Sequence, residues 1–307
     1  MSKKSLFVLV SLFVIFSAVI AGCGSKNNNN ASPAAASPSS SSSPEASATA
    51  TASSSPSASE SPTAAATPEV TLKVGAAAVP HAVILEFVKP ALKEQGVNLE
   101  VVVFDDEGQL NPALNEKQID ANYFQHVPYL DSVKGEKGYD FAVTTKVHVE
   151  PIGFYSDKLK SKDEIKEGAT IGIPNNPSNE YRALVLLQQQ GFIKLKEGIT
   201  TYEATPKDIV ENPKKLKFVE ADSATLPRAL PDLDGAIINT NLVLEAKIDP
   251  NSALFREDAN SPYANIIVVR TGDENNEAIK KLDVALTSPE VKKFIEDTYG
   301  VAVVPAF

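Results

Sequence analysis

The segment Pro174-Asn175-Asn176-Pro177-Ser178-Asn179-Glu180-Tyr181-Arg182 follows directly on a short apolar run, Thr170-Ile-Gly-Ile173, and carries the most pointed chemistry in the chain. Pro177 suits a first helical position, which makes Asn176 the N-cap. A helix that opens at the carboxyl end of a strand points unpaired N–H groups and a partial positive charge into whatever lies beyond it. Asn179 and Arg182 are three residues apart and share one face of that helix. A carboxylate lying there could take a two-pronged guanidinium contact and an amide hydrogen bond, provided that no protein carboxylate already holds the arginine. The plain alternative is a capped helix carrying a solvated arginine.

Two further segments offer complementary groups. In Asp120-Ala-Asn-Tyr-Phe-Gln-His-Val-Pro-Tyr129, the side chains of Phe124, His126 and Tyr129 fall where a strand gives way to a helix. Aromatic walls of this kind suit a thioether or another apolar side chain, because sulfur packs well on ring edges; taken alone, such aromatics equally suit a core. Ala236-Ile-Ile-Asn239-Thr240-Asn241 reads as a buried strand ending in amides, where Asn239 could accept hydrogen bonds from an ammonium group or serve only as a turn residue.

The usual enzyme signatures are missing. No Gly-x-Gly-x-x-Gly follows a strand, no phosphate loop ends in Gly-Lys-Ser/Thr, and no Gly-x-Ser-x-Gly elbow occurs. The three histidines, His81, His126 and His148, are not paired at metal-binding spacing, although they could converge with Glu150 on zinc. A hydrolase could in principle use Glu107, Glu150 and His126 as acid and base. The expectation is nevertheless no enzyme, no resident metal and no cofactor.

Alternating apolar patterns must position these groups. Strands are expected at Val70–Val74, Leu99–Phe104, Ile119–Tyr123, Phe141–Val147, Ile152–Tyr155, Thr170–Ile173, Leu216–Val219, Gly235–Asn239 and Ile266–Arg270. Helices are expected at Pro80–Gln95, closed by Gly96, at Asn111–Asn115 and Val127–Val133, and near 177–190, 223–229, 275–287 and 289–297. Alternation of this kind implies an α/β fold with mainly parallel sheets, and about 240 residues of it implies two lobes. Ligands then sit beyond the carboxyl ends of the strands, in the cleft.

The first 68 residues are of a different kind. Lys3 and Lys4 precede an apolar run from Leu6 to Ile20, which ends in Ile20-Ala-Gly-Cys23, and Cys23 is the only cysteine among 307 residues. This looks like a bacterial lipoprotein signal: residues 1–22 would be removed and Cys23 would carry the lipid, which places the protein on the extracytoplasmic face of a cell membrane. From 23 to 68 the chain is mostly Asn, Ser, Ala, Pro and Thr, without apolar periodicity, and reads as a disordered linker. Roughly forty such residues reach about 35 Å, enough to hold a domain off a surface. The chain carries a net charge of −10, of which Lys3, Lys4 and Lys26 against Glu45 and Glu60 leave −11 to residues 69–307. An acidic domain without a Lys/Arg cluster argues against nucleic acid as a partner.

Taken in order, these segments resemble the methionine-binding lipoproteins of ABC importers. Val79-Pro-His-Ala82, Asp120–His126, Val147-His-Val-Glu-Pro151, Asn176-Pro-Ser-Asn179 with Arg182, Val210-Glu-Asn-Pro213, Ile238-Asn-Thr240, Ser261-Pro-Tyr-Ala-Asn265 and the closing Ala302–Phe307 carry the likeness. The resemblance implies a two-lobe, periplasmic-binding-protein-like fold of type II, closing on one amino acid, with an ABC permease and its ATPase as partners and the chain itself a monomer. It implies lobe 1 at about 69–148 and 243–307, lobe 2 at about 149–242, and crossovers near 145–151 and 240–246. It places Arg182 on the ligand carboxylate, Asn179 and Asn239 on the carboxylate and ammonium, and Phe124, His126 and Tyr129 around the side chain. Three positions depart from the family pattern: Glu107 stands where tyrosine is common, Tyr181 where a small residue is usual, and Thr225 in place of a glutamine. They leave the amino-acid backbone contacts intact and bear on the side chain, so a methionine-containing dipeptide or another apolar amino acid competes with methionine.

Overall fold

The computed structural model describes residues 69–199, 201–258 and 261–307. The signal sequence, Cys23 and the linker expected at 23–68 lie outside the described residues.

The first lobe opens with β1 (Val70–Ala76), α1 (Val83–Glu94), β2 (Val97–Val103), α2 (Leu110–Asn115), β3 (Ala121–His126), α3 (Val127–Lys137) and β4 (Phe141–Val149). The second follows with β5 (Gly153–Tyr155), β6 (Thr170–Pro174), α4 (Pro177–Gln189), β7 (Lys194–Leu195), β8 (Ile209–Glu211), β9 (Lys217–Ala221), α5 (Leu226–Ala229), β10 (Gly235–Ile238), α6 (Thr240–Glu245) and β11 (Phe255–Arg256). The chain then returns to the first lobe with β12 (Ala264–Arg270), α7 (Glu277–Leu286), α8 (Pro289–Tyr299) and β13 (Val304–Pro305). One sheet has the order β13-β4-β12-β3-β1-β2 and the other β11-β5-β10-β6-β9, with β7 and β8 forming a small hairpin apart.

Both sheets are covered on both faces, and the period-two alternation of side chains shows why these runs are strands. Ile267 and Val269 of β12 join α1, α7 and α8 in one core, whereas Ile266 and Val268 turn to the opposite face with Leu110, Leu114 and Leu130. In the second lobe, Ile171, Ile173 and Ile237 pack on Leu184 and Leu187 of α4, while Ala236 and Ile238 pack on Leu226 and Leu230. Gly96, at a φ of +77°, provides the left-handed residue that closes α1.

Two expectations change. The sheets are mixed: β5 runs against β10 and β11, and β12 runs against β3 and β4. The reason is geometric, since a strand that enters its sheet from the other lobe starts at the cleft and must run away from it. The return crossing also lies later than 240–246. β11 pairs with β5 in the second sheet, so residues 248–257 stay with lobe 2, and the first sheet resumes only with β12. α6 packs against the turn at 78–82 of lobe 1 while its Leu242 and Val243 remain in the second-lobe core, which makes it a hinge piece.

Candidate ligand site

Six strands aim their carboxyl ends at one cleft of about 470 Å³. Phe104–Glu107 follow β2, Phe124–His126 close β3, Glu150 follows β4, Asn175 and Asn176 follow β6, Asp222 and Ser223 follow β9, and Asn239 follows β10. Tyr129, Asn179, Arg182 and Asn241 complete the lining. The volume is in the range of small-molecule sites.

α4 begins as its sequence requires. Asn176 is the N-cap, its Oδ1 accepting from Asn179 N–H at 3.2 Å and from Asn179 Nδ2 at 2.9 Å, with Pro177 in the first turn. Asn179 Oδ1 then accepts from two partners: Asn239 Nδ2 at 3.1 Å and His126 Nε2 at 3.2 Å. The second bond joins the lobes directly. His126 Nδ1 accepts from the Tyr129 amide at 3.2 Å, which caps α3 and leaves Nε2 as the donor. Burial and the nearby Arg182 charge push His126 down to about 3, so it works as a neutral ring. Phe124 and Tyr129 meet edge to face at 5.9 Å and form an apolar wall with Phe104 and Leu242. Asn239 Oδ1 is buried and has no hydrogen-bond partner among the described residues. A buried acceptor left unmatched costs about 1–3 kcal/mol, so this one marks a place where a donor belongs.

Arg182, expected to meet a ligand carboxylate, is paired with a protein carboxylate instead. One edge of its guanidinium is already taken by the protein: Nε donates to Glu257 at 3.0 and 3.2 Å, and Nη2 donates to Glu257 Oε2 at 2.5 Å and to the Glu150 carbonyl at 2.8 Å. Tyr263 covers one face, with the guanidinium carbon 4.2 Å from the ring centroid. The pairing follows from burial, because a guanidinium only 3% exposed needs a counter-charge. Glu257 arrives on the return crossing, 75 residues away in sequence, and no local pattern announces it.

Glu107 also lies in the cleft. Asn241 Nδ2 donates to it at 2.5 Å, and burial, with Glu245 and Glu150 nearby, pushes its carboxyl up to about 8. The cost of a charged carboxylate in this pocket is thus met by holding the proton. Of the other two departures from the family pattern, Tyr181 packs edge to face on Tyr202 at 5.6 Å, and Thr225 bonds the Asp222 carbonyl at 2.7 Å outside the set of lining residues.

A second polar cluster stitches the hinge. Glu150 Oε1 accepts from His148 Nε2 at 2.7 Å, and its Oε2 accepts from the Asn241 amide at 2.8 Å; His81 Nε2 lies 3.3 Å from Oε1 and is hydrogen-bonded to Asn265 Oδ1 at 3.0 Å. Tyr123 O–H donates to His148 Nδ1, and Thr240 Oγ1 donates to the Pro151 carbonyl at 2.7 Å. His81, His148 and Glu150 are grouped at metal-ligand spacing, but the carboxylate oxygen itself stands where the two imidazole nitrogens converge. Sequence reasoning brought His126 into this group; the structure instead gives it to Asn179. Burial lowers His81 to about 4 and His148 to about 3. None of the hydrogen bonds joins any two of Glu107, Glu150 and His126, the trio considered for hydrolysis.

The chain has close relatives. It is 44% identical over 206 residues to a D-methionine-binding lipoprotein, MetQ, of Salmonella typhi, covering 66% of this chain and 76% of the relative. It is 40% identical over 230 residues to the methionine-binding lipoprotein MetQ of Bacillus subtilis, covering 73% and 84%. Among solved structures, a nutrient-binding protein of Burkholderia cenocepacia bound to methionine matches with a TM-score of 0.74 at 47% identity, over 77% of this chain and all of that one. The profile of the NlpA lipoproteins matches residues 72–307. A two-lobe cleft built on the same ordered segments, and a match running through both lobes to the last residue, place this chain in the NlpA lipoprotein family.

Proposed function

We propose that this chain is the substrate-binding lipoprotein of an ABC importer, held on the extracytoplasmic face of the membrane by lipid on Cys23, and that it captures methionine in the inter-lobe cleft. The observation that carries the ligand class is Asn239 Oδ1, a buried acceptor without a protein partner, set beside the donors of Asn179 and Arg182. Among the described residues nothing accepts from Arg182 Nη1, so that edge serves the ligand carboxylate, helped by the amino end of α4. The ammonium group donates to Asn239. The thioether lies against Phe124, His126 and Tyr129, with Glu107 at the same wall. The methionine in the relatives' names and in the Burkholderia cenocepacia structure agrees with this assignment.

The site acts by binding. Ligand held by both lobes favours the closed form, which the His126–Asn179 bond already bridges, and delivery to a permease follows from that difference in affinity. Calorimetry with L- and D-methionine, together with mass spectrometry of any copurifying molecule, tests the assignment. Heat-silent titration with both enantiomers, or a copurified ligand without an ammonium group, would sink it; recovery of a cleaved ligand after incubation would reinstate a hydrolase.

A further inference from the structure

Glu257 changes what the cleft can recognise. Among the described residues Arg182 is the only cationic side chain of the lining, and its charge is matched by a carboxylate that grips Nε and Nη2 together. Six carboxyl groups, those of Asp105, Asp106, Glu107, Glu150, Asp222 and Glu245, border the same space, Glu107 holding its proton. The cleft therefore offers a carboxylate ligand well-aimed N–H groups but no surplus positive charge. An anion entering it would lose water against a neutral pair and a wall of acids. A ligand that brings its own ammonium cancels that cost and fills the unmatched acceptor on Asn239.

We propose that Glu257 is a specificity-determining residue: by neutralising and orienting Arg182 it restricts the cleft to amino acids with a free ammonium group and excludes carboxylates that lack one. The geometry supports orientation as well as charge. Glu257 takes one edge of the guanidinium, the Glu150 carbonyl takes the remaining Nη2 hydrogen at 2.8 Å, and Tyr263 covers a face at 4.2 Å, so only the Nη1 edge is left to present. The inference rests on the amino-acid reading above and deepens it.

The test compares L-methionine with 2-hydroxy-4-(methylthio)butanoate, which keeps the carboxylate and thioether but carries a hydroxyl in place of the ammonium. Dissociation constants are measured by calorimetry for wild type, Glu257→Gln and Glu257→Asp. Wild type is expected to prefer methionine by about 100-fold, the scale of losing the ligand's positive charge while its hydroxyl still donates to Asn239. Glu257→Gln should narrow that preference at least tenfold, and Glu257→Asp should largely keep it. A preference in Glu257→Gln within twofold of wild type overturns the proposal. If wild type ignores methionine, the ligand assignment fails separately, and leucine with 2-hydroxyisocaproate supplies the same ratio. If Glu257→Gln shows no cooperative melting, the isosteric pair Glu257→Asn and Glu257→Asp gives the second test: the neutral variant should show a preference about tenfold narrower than the charged one, and equal ratios in the two overturn the proposal.

Discussion

The two lobes meet at one cleft but bring different emphases to it, although Gln125 and Asn265 add amides from lobe 1 and Asp222 an acid from lobe 2. Lobe 2 contributes amides and the arginine, Asn175, Asn176, Asn179, Arg182 and Asn239, on strand ends and one capped helix. Lobe 1 contributes rings and acids, Phe104, Phe124, His126, Tyr129 and Glu107. One side is thus built to fix the invariant end of an amino acid and the other to choose its side chain. Losing a lobe 2 group should weaken or abolish binding of every amino acid alike, whereas losing a lobe 1 group should change which one is preferred.

The largest expected effect comes from Arg182. Arg182→Ala should abolish detectable binding, and because it strands Glu257 as a buried charge it should also cost about 3–5 kcal/mol of stability. Arg182→Met combined with Glu257→Leu should restore the melting temperature without restoring binding; recovery of both would remove the arginine from recognition. Acid should separate the lobes next. His81, His126 and His148 all belong to lobe 1, with folded values of about 4, 3 and 3 against an ordinary 6.5. Their contribution is complete above about pH 6.5 and is lost as pH falls towards 4, at roughly 1.4 kcal/mol per pH unit for each ring that must take a proton on unfolding. Hydrogen exchange at pH 4.5 should therefore show lobe 1 opening before lobe 2, and equal protection would contradict this. Glu107 pulls the other way: its raised value makes its contribution complete below 4.5 and lost as pH rises through about 8. Asn239→Ala should weaken methionine by about 10- to 100-fold, the range of a hydrogen bond to a charged group. Phe124→Ala should cost about tenfold for methionine but little for alanine, and a uniform loss would erase the proposed division between lobes. Smallest is Glu107→Tyr, expected to tighten methionine a few-fold; weaker binding would mean that Glu107 makes a productive contact of its own.

Local signals were legible because their causes are local. The α4 N-cap, the aromatic strand end at 124–129 and the amide end of β10 all follow from residues within one turn or one strand. Strand direction was not, because it depends on which lobe a strand arrives from. β11 and β13 are two residues each, too short for periodicity to mark them. The pairing of Arg182 with Glu257 spans 75 residues and is enforced by burial, which a sequence shows only after it is folded. Asn241 escaped for the same reason, since its role depends on the backbone amide reaching Glu150 and the side chain reaching Glu107.

The path of the chain through the two sheets has a consequence for biogenesis. Lobe 2 is continuous from about 150 to 257, whereas the middle of the lobe 1 sheet is β12, at 264–270. As the polypeptide emerges amino end first, β1 to β4 must wait for a strand made more than a hundred residues later, so the inserted lobe can consolidate while the earlier one stays open. Loss of the final 44 residues, 264–307, would leave lobe 2 its whole sheet and strip lobe 1 of its central rib.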